Sequence, residues 1–259
     1  MLPLVGARRQ HALALLVGVA ALVVTAACAG TLLSRKYEYE EDIHFALDGS
    51  ATVYVNASVA ALVALRGLPL DVNPRAHLDR TAVRALFASP STHVANVSAS
   101  RRDNRRYVHL RIDVPDVARL GEAAPFAWSQ YGVDRGETVV KYRQILRAAA
   151  SRDVGNVGWS GRELMAIRLH LPSRVVFHNS PTQSVERGNI IVWEQTLNDR
   201  LRGQPLDVEA HMETQSILAR TLILFGLMVV LAAATFAVLI WLVRRRGRVL
   251  RGAQEQEAS

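Results

Sequence analysis

The stretch Leu206-Asp-Val-Glu-Ala-His-Met-Glu-Thr214, followed after six residues by Thr221-Leu-Ile-Leu-Phe-Gly-Leu-Met-Val-Val-Leu-Ala-Ala-Ala-Thr-Phe-Ala-Val-Leu-Ile-Trp-Leu-Val243, decides how the chain is built. Its first part puts Leu206, Val208, Ala210 and Met212 on one side of an extended chain. Asp207, Glu209, His211 and Glu213 fall on the other, which is the period of a half-buried strand. The second part is 23 residues without a charge, about 35 Å of helix and enough to cross a bilayer. Arg244, Arg245, Arg246 and Arg248 follow at once. Such clusters mark the cytoplasmic end of a span. A strand-rich domain is therefore expected to end almost where a membrane begins, without a Gly/Ser or Pro linker.

The other end of the chain matches this topology. Arg8 and Arg9 precede an uncharged run from Ala12 to Ser34, the n-region and h-region of an export signal. The run passes through Val24-Thr-Ala-Ala-Cys28, with small residues before the chain's one cysteine. That segment reads either as a lipoprotein signal, with Cys28 acylated after cleavage, or as an uncleaved signal anchor. Both place Arg8, Arg9 and the C-terminal arginines in the cytoplasm and the domain outside. The expected layout is a signal or anchor over 1–28, an extracytoplasmic domain over 35–215, a membrane helix over 218–243 and a basic cytoplasmic tail over 244–259.

The formal net charge of +8 does not describe the domain. Arg8, Arg9, Arg220, Arg244, Arg245, Arg246, Arg248 and Arg251 lie outside 29–216, against Glu255 and Glu257, which leaves that segment at only +2. The basicity belongs to the membrane flanks, so no nucleic-acid partner is expected. Only Lys36 and Lys141 are lysines, a bias of GC-rich bacterial genomes, and the cytoplasmic membrane of a bacterium is the expected location. A single cysteine rules out an intramolecular disulfide.

Inward from the last strand, alternation predicts an α+β domain: a mostly antiparallel curved sheet with a few short helices. Ile43, Phe45 and Leu47 alternate before Asp48-Gly49-Ser50, and Ala51, Val53 and Val55 after it; a three-residue loop would pair Phe45 with Val53. Val59–Arg66, closed by Gly67, and Asp79–Ala88 read as short helices. A two-residue turn at Asp103-Asn104 pairs Ala99 with Val108, Val97 with Leu110 and Ala95 with Ile112. A third hairpin turns near Arg135-Gly136, residues 148–162 form a loop, and the last third is strand.

The segments Ile167-Arg-Leu-His-Leu-Pro172-Ser-Arg-Val-Val-Phe-His-Asn179 and Gly188-Asn-Ile-Ile-Val-Trp193-Glu, taken with the overall layout, resemble the LppM-type bacterial lipoproteins. The resemblance covers about 165–243 in sequence. It implies a curved, partly closed sheet with helices and a role in binding an envelope lipid or glycolipid. It implies no catalytic residues.

Arg101, Arg102, Arg105 and Arg106 bracket the second turn and are the candidate anion site, suited to lipid headgroups, phosphates or acidic glycans. The predicted register sets Arg102 opposite Arg105 and Arg101 opposite Arg106, which is unfavourable unless something offsets it. Trp128 and Trp159 are candidates to line a ligand pocket. The run Glu38, Glu40, Glu41 and Asp42 reads as a solvated strand start. His170, His178 and His211 could meet on adjacent strands but read as surface histidines; no metal, cofactor or catalytic motif is expected. The chain thus reads as a membrane-anchored module binding a lipid or lipid-like ligand, or else as a structural partner of another envelope component.

Overall fold

The computed structural model describes residues 37–257; the expected signal or anchor segment with Cys28 lies outside the described residues. The elements in chain order are β1 (Tyr37–Phe45), β2 (Ala51–Ser58), α1 (Val59–Arg66), α2 (Arg80–Phe87), β3 (His93–Arg102) and β4 (Arg105–Val114). Two 3₁₀ turns, Val117–Glu122 and Ala124–Phe126, lead to β5 (Ser129–Arg135) and β6 (Val139–Leu146). Then come β7 (Leu164–His170), β8 (Ser173–His178), β9 (Ile190–Thr196), α3 (Leu197–Leu201), β10 (Leu206–Ser216) and α4 (Ile217–Glu257).

The class is α+β, but the strands divide into two sheets where the sequence suggested one. The first has the order β3-β4-β2-β1-β7-β9 and the second β5-β6-β10-β8. One apolar cluster draws on both, with Ile43, Val53, Leu110 and Ile167 from the first and Tyr142, Val208 and Met212 from the second. Phe45 and Tyr142 meet edge to face between the sheets, centroids 5.6–5.9 Å class contacts being typical of this core and theirs 5.8 Å. The domain interior is thus filled with side chains.

Local chemistry explains the boundaries. The Ser58 hydroxyl accepts the Ala61 N–H at 3.0 Å and starts α1, while Gly67 at φ +68° ends it. Asp79 caps α2 through the N–H groups of Thr81 and Ala82. In the β3–β4 hairpin, Asp103 and Asn104 both have positive φ, as a type I′ turn requires, and Ala99↔Val108 and Val97↔Leu110 pair as expected. A bulge near Ala95 then sets Val94, not Ala95, opposite Ile112. The β1–β2 hairpin differs by two residues from expectation: Phe45 pairs with Ala51 and Ile43 with Val53. The Ala46 N–H donates to Ser50 O and the Gly49 N–H to Ala46 O, enclosing a wider turn. A two-residue slip keeps each side chain on its face, which is why the alternation could not detect it. α3, absent from the sequence reading, is capped by the Thr196 hydroxyl.

The residues that carry the family resemblance serve as structural pins. Asn179 Oδ1 accepts the Trp193 indole N–H at 2.8 Å and the Glu209 N–H at 2.9 Å, tying the two sheets together. Asn189, at φ +57°, donates to the carbonyls of Leu171 and Ser173.

β10 runs directly into α4, and within it Thr221–Trp241 is long and apolar enough to cross a membrane. Large apolar side chains along this stretch, such as Leu224, Phe225 and Trp241, are exposed.

Candidate functional site

Period-2 geometry sorts the four hairpin arginines onto two faces. Arg102 and Arg105 pair across the hairpin on the face that carries Tyr107 and His109; Arg101 and Arg106 pair on the other. On the first face Glu38 is the hub. Its carboxylate accepts from Arg105 at 2.8 Å, from the Tyr107 hydroxyl, and from the Trp159 indole at 3.2 Å. Arg102 lies over the Tyr107 ring, 4.3 Å from its centroid, and donates to its hydroxyl. Glu38 pairs with Arg105 and Asp103 lies 3.7 Å from Arg102, which together offset the Arg102–Arg105 repulsion; Glu38 comes from the acidic run expected to be solvated.

On the second face Arg106 is buried and donates to the carbonyls of Ala76 and Asp71. Arg101 is exposed beside it. Here His77, from the loop before α2, and Arg80, the first residue of α2, join Arg101 and Arg106 around a surface pocket of about 370 Å³ whose lining contains no carboxylate. Neither Arg80 nor Arg101 has an ion-pair partner among the described residues. His77 and Arg80 were not singled out in the sequence; only the packing of the 71–80 segment against β3 and β4 brings them in. A larger groove, about 750 Å³, lies between the hairpin tip, residues 72–74 and the 154–163 loop. Arg105 and Arg106 line it too, but Asp103 and Glu163 balance their charge.

Trp128 and Trp159 do not share a pocket. Trp159 bonds to Glu38, whereas Trp128 packs edge to face on Tyr39, centroids 5.6 Å apart. Glu38 and Tyr39 are consecutive strand residues and point to opposite faces of the sheet. Trp128 is 9% exposed and belongs to the core.

The acidic run also supplies the most buried polar cluster. Glu41 is fully buried and pairs with the Arg66 guanidinium at 2.7 Å. It also accepts from the hydroxyls of Tyr39 and Tyr131 and from Gln144, at 2.8, 3.0 and 3.2 Å. Tyr131 and Gln144 lie on the second sheet, so this carboxylate bridges the two. Arg66 is enclosed by Tyr39, Phe126 and Trp128, each ring centroid 4.7 to 4.8 Å from its guanidinium carbon. Burial pushes Glu41 up to about 7, against the pull of the Tyr131 and Gln144 hydrogen bonds, and pushes Arg66 down to about 9. The expectation of a solvated acidic strand start is thus overturned: Glu41 shares the core face with Ile43 and Phe45.

The histidines regroup as well. His170 lies on the first sheet and His178 on the second. His178 pairs with Ala210 of β10, while His170 stacks on His44. Compared with known proteins, the chain matches no family model, no curated protein and no solved structure. Fold and site together describe a two-sheet α+β domain, continuous with an apolar C-terminal helix, that bears a carboxylate-free cationic pocket on one face.

Proposed function

We propose that this chain is a membrane-anchored bacterial envelope protein whose domain lies on the extracytoplasmic side and binds the anionic head of a lipid or lipid-like molecule. The observation that carries the reading is the pocket formed by His77, Arg80, Arg101 and Arg106, in which the two exposed arginines have no ion-pair partner among the described residues. A phosphate or carboxylate there would meet fixed positive charge with no competing acid. The filled core favours recognition of a head over enclosure of acyl chains. Topology rests on the arginines that flank the two apolar segments. In this reading Cys28 is either acylated or retained within an anchor. The resemblance to LppM-type lipoproteins supports the same lipid-binding role and a curved sheet.

The test is lipid analysis by mass spectrometry of the purified full chain and its R80Q/R101Q variant. An anionic lipid retained near one per chain and lost from the variant is expected. Equal retention by both would overturn the pocket as the ligand site, since annular lipid does not depend on these residues.

A second reading, an envelope interaction protein, is favoured by the edge strand β8, where Val176 and Phe177 are 48% and 45% exposed. A photo-crosslinker at Phe177 that captures one protein in cells, with the R80Q/R101Q variant unchanged in lipid content, would favour that reading.

A further inference from the structure

We infer that Asp42, His44 and His170 form a binding site for a divalent transition-metal cation of the zinc type. Asp42 and His44 are two residues apart on β1, so their side chains share a face, and β7 brings His170 alongside. Asp42 Oδ1 lies 2.7 Å from His170 Nε2 and 3.5 Å from His44 Nε2. One ligand atom from each residue falls within 4.8 Å of the others. Bonds of about 2.0–2.1 Å in a tetrahedral shell set neighbouring donors roughly 3.3 Å apart. The two distances to Asp42 bracket that value; to hold an ion the carboxylate must draw back and the two rings must rotate out of their near-parallel stack so that both ring lone pairs converge.

The donor set itself selects the ion. Two imidazole nitrogens and one carboxylate oxygen suit zinc, cobalt or nickel; magnesium and calcium take oxygen shells. The rings stack with centroids 3.9 Å apart and planes 16° from parallel. Beside the three groups, Arg168 pairs with Glu40 at 2.9 Å on the same face, and Tyr54 lies edge-on to His44. The His44 side chain remains 45% exposed. A groove of about 380 Å³ runs from it past His93 and Asp113, leaving a coordination position open to water or a fourth ligand.

The site is separate from the cationic pocket. Asp42 pairs with Tyr54, and Tyr54 with Arg111. Arg111 is about 17 Å along β4 from Arg106.

The test uses the full chain in detergent, stripped with chelator and titrated with zinc chloride by calorimetry. One zinc per chain is expected, with magnesium chloride giving no heat. H44Q and H170Q should each weaken zinc binding more than about tenfold, the loss that follows even removal of a ligand's outer partner. H211Q, on the second sheet, should bind as the wild type does. To keep the test independent of the variants' folding, cobalt is added to the wild-type chain as well. A visible absorption band of a four- or five-coordinate ion, displaced by zinc, supports the site. No wild-type zinc binding, an octahedral cobalt spectrum, or H44Q and H170Q binding within twofold of wild type would overturn it.

Discussion

Replacing Glu41 with alanine removes the only carboxylate that meets Arg66 among the described residues, and the side chains of both are essentially inaccessible, at 0% and 1%. Arg66 would keep the Pro125 carbonyl and three ring faces but no counter-charge. Breaking a buried pair from one side costs about 3–5 kcal/mol. For a domain of this size 1 kcal/mol moves the melting temperature about 2–4 °C. E41A should therefore melt about 6–20 °C lower at pH 8, followed by circular dichroism on the full chain in detergent. R66M should cost less, because Glu41 keeps the donors of Tyr39, Tyr131 and Gln144 and takes up a proton readily. The double variant should recover about 1–3 kcal/mol relative to the sum of the single losses. An E41A variant within 2 °C of wild type, or strictly additive losses, would refute the view that this pair joins the sheets.

The same carboxyl predicts a pH dependence. Its folded value, about 7, lies above the ordinary 4.5, so between the two the folded chain holds a proton that the unfolded chain has lost. Its contribution is fully present below about 4.5 and disappears as pH rises through about 7. The melting temperature of wild type relative to E41Q should rise from pH 8 to pH 5; a flat or falling difference would contradict the shift. Among the hairpin arginines, R105Q and R106Q should each lower the melting temperature by several degrees, since they lose Glu38 or the Ala76 and Asp71 carbonyls. R101Q, at an exposed position, should stay within about 0.5 kcal/mol of wild type; equal effects at all three would contradict the structural role given to the Arg105 and Arg106 contacts.

Elements set by local chemistry were legible in the sequence. α1 carries its own cap and its own glycine stop, and the Asp103-Asn104 turn dictates its hairpin register. The β1–β2 register was not, because a two-residue slip leaves the apolar face unchanged. Glu41 was misread although its position two residues before Ile43 already placed it on the core face; its partner Arg66 sits in a different element and offers no local signal. The cationic pocket was only half visible. Arg101 and Arg106 stood out as part of a charged cluster, but Arg80 and His77 join them through tertiary packing. His44 and His170 likewise meet only because β1 and β7 are neighbours in the sheet, an order that no spacing in the chain encodes.

The central claim is that the pocket of His77, Arg80, Arg101 and Arg106 receives an anionic head. It is tested most directly by titrating the full chain, held in phosphatidylcholine nanodiscs, with short-chain phosphatidylglycerol and, separately, short-chain phosphatidylcholine. Saturable binding of the glycerol lipid alone is predicted, weakening as salt rises and falling more than about tenfold in R80Q/R101Q, as loss of two charge-assisted contacts requires. Equal binding of the two lipids, or an R80Q/R101Q variant that binds as wild type does, would contradict it.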